Sequence, residues 1–300
     1  MGKTAFVFAG QGSQYTGMGK DLYDHSDGIK EIFDVSEKTR DICFVGSKEE
    51  LDITINTQPA VFMVDLACAH ALTENGITPD GVAGFSLGEI PAACYAGVMS
   101  RKQAFDFVNQ RAKAMHECAQ KNKGSMFAVI KLTAEQVESI CKTIDAAYPV
   151  NYNSAGQTVV ACADTSADEL VKAVTEHGGK PIKLATSGAF HSPFMDAASE
   201  SVAKYLENET LHEIKMPLYS NVTAETYNSP KELLAKQINH PVKWQKTTEN
   251  MVRDGFDTFI EVGPGKTLSG LLKKINPDVR VLNVSDIPSL EKTIEELNNG

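Results

Sequence analysis

Three hundred residues, 42% of them hydrophobic, hold enough apolar surface for one large domain or two smaller ones and exclude an unstructured chain. A net charge of −10 argues against general nucleic-acid binding and against attraction to anionic membranes. No apolar run approaches the roughly 18 residues of a spanning helix, and the opening "MGKTAFVFAG" has neither the charged lead nor the apolar core of a signal peptide. The six cysteines are scattered singly, with no C-x-x-C pair, which predicts no zinc or redox site and a reduced, cytoplasmic protein.

In chain order, "TAFVF" (4–8) predicts a short buried strand leading into the glycine-rich turn "AGQGSQYTGMG". Residues 58–72 predict a helix with Val61, Val64, Leu66, Ala69 and Leu72 on one broad face, ended by Gly76. "DGVAGF" (80–85) reads as the next strand, and the small residues from Leu87 to Ala96 predict a tightly packed helix behind it. Ser100 is placed to cap a long amphipathic helix reaching Lys121. After "KNKG" the pattern changes. "SMFAVI", "TAEQVESICKTI", "PVNYNSAGQTVVAC", "TSADELVKAVTEHGG" and "KPIKLAT" read as strand, helix, two strands, helix and strand. That β-α-β-β-α-β order is ferredoxin-like and predicts an inserted subdomain at 124–188. The α/β core at 1–123 and 189–300 resumes with the helix "SPFMDAASESVAKYL" and the strands "MPLYS", "DTFIEV" and "RVLNV". Strands alternating with helices predict a mainly parallel sheet.

Three glycine-rich stretches fail as nucleotide loops. "GQGSQY" has Tyr15 at the third glycine of a dinucleotide fingerprint, while "GKD" and "GPGKTL" have Gln14 and Ile260 at the first glycine of a P-loop. "GFSLG" (84–88) does satisfy G-x-S-x-G, between a predicted strand and a predicted helix. Glycines on both sides relieve crowding at a sharp turn, and the helix beyond it aims free N–H groups and a positive dipole end at Ser86. The pattern alone fits a nucleophile or a serine in a tight turn. His191, in "SGAFHSPFMD", lies where the insert returns to the core, before a helix that Ser192 can cap; the other six histidines lack supporting neighbours. Arg111, in "FDFVNQRAKAM", is either an anion trap or the surface ion-pair partner that a helical arginine commonly is.

Taken together, "FVFAGQGSQ", "GFSLGE", "QRAKAM", "GAFHSPFM", "NYNSAGQTVVA", "NHPVKW" and "EVGPGKTLSGL" resemble the malonyl-CoA:acyl-carrier-protein transacylases and the acyltransferase domains of polyketide and fatty acid synthases. The resemblance spans nearly the whole chain. It implies an α/β fold with a hydrolase-like parallel-sheet core, and transfer of malonyl from malonyl-CoA to the phosphopantetheine thiol of acyl carrier protein, supplying fatty acid biosynthesis without a further cofactor or metal. It implies Ser86 as the acylated nucleophile and His191 as general base and acid. The same resemblance implies that the backbone N–H groups of Gln11 and Leu87 form the oxyanion hole, that Arg111 holds the malonyl carboxylate, and that the Gln237 carbonyl orients His191. Phe190, in Ala189-Phe190-His191, is the form associated with malonyl over methylmalonyl.

The family usually has His where this chain has Phe85, which leaves the reaction class and specificity in place and predicts an altered rate. Rival readings are a stand-alone polyketide acyltransferase and a serine thioesterase or editing hydrolase. An acidic carrier needs a basic patch, for which Lys121 and Lys123, Lys180 and Lys183, or Lys273 and Lys274 are candidates.

Overall fold

Strand β1 (Lys3–Phe8) runs through the middle of the computed structural model, which describes residues 2–299. Its residues Ala5 to Phe8 are buried, as an unbroken apolar run at the centre of a parallel sheet must be. On one side lie β2 (Gly81–Gly84) and the two-residue β7 (Leu218–Tyr219). On the other lie β8 (Phe256–Val262) and β9 (Arg280–Val284). The order is β7-β2-β1-β8-β9 and every pairing is parallel. Phe8 stands opposite both Gly84 and Val262, so β1, β2 and β8 end level. Their following loops therefore meet at one carboxyl edge, where open α/β sheets place their sites.

The helix Thr54–Glu74 departs from the expected pattern. It starts four residues earlier than periodicity predicts, and Thr57 to Ala69 are buried without a break instead of along one face. Small and apolar residues occupy every side of it, so the sheet, the flanking helices and the helix Arg101–Lys121 can all pack against it. Asp65 lies within this packing with no hydrogen-bond partner among the described residues. Burial, with Glu261 nearby, pushes its carboxyl well above the usual carboxylate range. The helix after β2 also differs: Ser86–Gly88 form one tight turn before the helix proper, Glu89–Tyr95.

A second sheet lies within residues 124–183: β3 (Gly124–Ile130), β4 (Ala147–Ser154), β5 (Gln157–Ala163) and β6 (Lys180–Lys183). Its order β4-β5-β3-β6, antiparallel throughout, is the ferredoxin-like arrangement. The period-two alternation of β3 divides its residues between two cores. Phe127 and Val129 pack with the helices Ala134–Cys141 and Ala167–Glu176, whereas Met126 and Ala128 join the main core. One backbone link ties this sheet to the chain beyond it: Val242 donates to Val150 at 2.8 Å and accepts from Tyr152 at 2.9 Å. All six cysteines are free and buried. Among the described residues no helix is long and apolar enough to cross a membrane.

Candidate active site

Ser86 follows β2 after a single residue and has φ of 53°, a left-handed conformation that a non-glycine residue holds only under constraint. The flanking glycines are required by contact and not by their own torsions. A Cβ on Gly84 would strike the backbone of Gly88 and Glu89, and one on Gly88 would strike the carbonyls of Phe8 and Ala9. The turn can therefore close against β1 only with glycine at both places.

His191 also has a left-handed backbone, φ 60°. Its N–H donates to the Ile238 carbonyl at 3.1 Å. Ring atom Nδ1 lies 2.7 Å from the Gln237 carbonyl oxygen, and Nε2 lies 2.7 Å from Ser86 Oγ. A carbonyl can only accept, so Nδ1 carries the proton and Nε2 turns its lone pair to the Ser86 hydroxyl. The structure thus joins a serine, a histidine and a neutral backbone acceptor, with no carboxylate in the third place. Burial lowers the His191 pKa to about 4, the Arg111 charge acts in the same direction, and the bond to Gln237 opposes both.

The sign of this shift sets the pH dependence. Protonated His191 cannot accept from Ser86, and the lowered pKa moves that loss below the ordinary histidine range. The kcat/KM for acylation of Ser86 is expected to hold level down to about pH 5 and to fall near pH 4. Rapid-quench acylation across that range checks it, and an acid midpoint at the ordinary value of about 6.5 would contradict it.

Arg111 is 1% exposed, so it is no surface ion-pair residue. Nη1 donates to Gln58 Oε1 at 2.6 Å, and Nη2 to Gln237 Oε1 at 2.7 Å and to Ser86 Oγ at 3.3 Å. These acceptors are neutral, and Nε has no partner among the described residues. Burial lowers its pKa to about 10, opposed by Glu89, so the guanidinium stays charged at neutral pH. A buried cation held by amides beside a serine hydroxyl is a ready site for a carboxylate.

Neither the Gln11 nor the Leu87 N–H has a partner among the described residues. The Ser86 N–H, by contrast, is taken by Asn221 Oδ1 at 2.7 Å. The Gln11 side chain donates to Thr54 Oγ1 at 3.2 Å, beside Ser187. Phe190 is buried in the main core. The six candidate lysines are all exposed. Among the described residues no group of three or more His, Cys, Asp or Glu is arranged to hold a metal.

Phe85 turns its ring to Trp244, edge to face with centroids 5.6 Å apart, while Ser86 projects to His191. Phe85→His is therefore expected to change the acylation and transfer rates by less than about tenfold, a barrier change under ~1.4 kcal/mol. Stopped-flow measurement of both half-reactions tests this, and a larger change in either gives the ring a part in the chemistry.

Residues 5–291 match the family model described as the acyl transferase domain. The chain belongs to the acyl transferase family. It is 36% identical to a malonyl CoA-acyl carrier protein transacylase of Bacillus subtilis, over 99% of this chain and 98% of that protein. A crystal structure of the malonyl CoA-acyl carrier protein transacylase of Clostridium perfringens superposes with a TM-score of 0.95 at 36% identity, covering 99% and 98% of the two chains. A malonyl-transacylase solved in complex with its type II PKS acyl-carrier protein gives 0.94 at 32% identity, covering 98% and 99%.

Several groups around this acyl transferase site were not signalled by sequence reasoning. Gln58 and the Gln237 side chain hold Arg111, and Asn221 holds Ser86. Gln58 sits in an unremarkable helix start, "TQPA", and Asn221 just past a strand of two residues. Neither spacing nor periodicity marks them.

Proposed function

We propose that this acyl transferase moves a malonyl group from malonyl-CoA to the phosphopantetheine thiol of an acyl carrier protein, in the cytoplasm, supplying fatty acid biosynthesis. The observation that carries the reading is the buried, charged Arg111 with only neutral hydrogen-bond partners, 3.3 Å from Ser86 Oγ. A carboxylate on the acyl group completes its charge pairing; an acetyl group leaves it unpaired.

Ser86 Oγ attacks the thioester carbonyl while His191 Nε2 takes its proton. The oxyanion rests on the N–H groups of Leu87 and Gln11, each such donor typically contributing a factor of about 10² to 10³. The carbon–sulfur bond breaks, CoA leaves as the thiol with the proton from His191, and a malonyl-serine ester remains. The carrier thiol then attacks that ester with His191 as base, and Ser86 recovers its proton. Side chains and backbone of this chain and the two thiol substrates supply every group in the cycle. The Gln237 carbonyl keeps His191 in the required tautomer, and the Phe190 ring restricts an α-methyl group on the acyl chain. On this reading the chain divides into a core at 1–123 and 189–300 and an insert at 124–188, with His191 just after the return from the insert. Intact-mass analysis after mixing with malonyl-, acetyl- or methylmalonyl-CoA tests the reading. The malonyl adduct should dominate and pass to a carrier thiol; equal labelling by all three, or loss of the adduct to water in place of transfer, overturns it.

A further inference from the structure

We infer that Asn221 is a positioning residue for the nucleophile: its side-chain amide extends the sheet past the end of β7 and fixes the strained backbone of Ser86. The inference rests on the acyl-transfer reading above. Strand β7 pairs with β2 through Val82–Leu218 and Ala83–Tyr219 and then stops. One step on, Asn221 Nδ2 donates to the Gly84 carbonyl at 2.6 Å, and its Oδ1 accepts the Ser86 N–H at 2.7 Å. These two groups belong to the peptide bonds on either side of Phe85. A primary amide offers the same donor and acceptor as a peptide, so the side chain continues the ladder where the backbone has turned away. The pattern also fixes the orientation of the amide, because only Oδ1 can accept from Ser86 and only Nδ2 can donate to Gly84.

Asn221 is itself anchored. Its N–H donates to Glu89 Oε1 at 3.1 Å, and the Tyr227 hydroxyl donates to the same oxygen at 2.5 Å. Asn221 is 1% exposed and Glu89 fully buried. Glu89 opens the helix just beyond the Ser86 turn, so both ends of that turn are tied to one residue, Asn221, through its side chain and its backbone N–H. A left-handed non-glycine residue is strained and persists only when its surroundings over-determine it; here the amide supplies that constraint. Engaging the Ser86 N–H also leaves the next N–H, that of Leu87, as the turn's free donor.

The test is single-turnover acylation by malonyl-CoA of wild type, Asn221→Ala and the near-isosteric Asn221→Asp, with KM and thermal stability measured beside it. Asp lacks the donor to Gly84 at neutral pH and keeps the volume, so it serves if the alanine variant fails to fold. The acylation rate is expected to fall about 10- to 100-fold in both, as for a small misplacement of reacting groups, with KM for malonyl-CoA within about threefold. A fluorophosphonate probe, which needs only the Ser86–His191 pair, should slow in parallel. Wild-type acylation rates in both variants, or a loss confined to KM, overturn the positioning role alone. A wild-type protein that takes up no malonyl group but reacts with the probe overturns the reading of the substrate, and the probe rates then decide the positioning role.

Discussion

Replacing Ser86 by Ala is expected to leave the protein without a malonyl adduct after mixing with malonyl-CoA, and His191→Ala to slow adduct formation by about 10² to 10⁴. The two effects differ in kind. On the proposed mechanism Oγ is the atom that forms the ester, so no rate should survive its removal. His191 offers a proton acceptor 2.7 Å away, and the N–H donors proposed at Leu87 and Gln11 would continue to act when it is gone. The lowered His191 pKa and its bond to Gln237 keep the lone pair available at neutral pH. Intact mass with a quenched time course reads both variants. An adduct of normal extent on Ser86→Ala would move the nucleophile elsewhere. The cysteines are poor replacements, since all are buried, and burial pushes thiols such as Cys43 and Cys94 up to about 12.

Arg111→Ala is expected to lower kcat/KM for malonyl-CoA by roughly 10² to 5 × 10³, the range implied by about 3–5 kcal/mol for breaking a buried charge pair. Acetyl-CoA, which leaves the guanidinium unpaired in wild type, should lose little, so the variant's preference narrows toward equality. Arg111→Lys should not restore selectivity. A lysine has one compact charge on a flexible stem and no planar fork to span Gln58 and Gln237. Competition between the two thioesters in one reaction gives the ratio directly. Equal losses for malonyl and acetyl would make Arg111 a packing element that supports Ser86 and has no part in selection.

Much of the fold was legible because its causes are local. The capping boxes Ser100–Gln103 and Thr133–Gln136 begin their helices within four residues of sequence. The turn of small and polar residues at 153–156 marks the hairpin of β4 and β5, and the succession of elements implied the antiparallel second sheet. The helix Thr54–Glu74 was read less well, because its one-face pattern covers only part of a segment that is buried on every side. Ser86 and His191 were visible as candidates since each sits at a punctuated turn, "GFSLG" and "FHSP".

The sequence by itself determined the elements, the steric need for glycine around Ser86 and the residue types able to do acyl transfer. The tertiary structure decided what surrounds them. Whether Arg111 faced solvent or Ser86 depended on the packing of its helix against Thr54–Glu74, and its acceptors Gln58 and Gln237 lie far from it in the chain. Asn221 reaches Ser86 only because β7 lies beside β2. Hydrogen bonds that close across a sheet edge have no fixed sequence spacing, so these contacts exist only once the chain has folded.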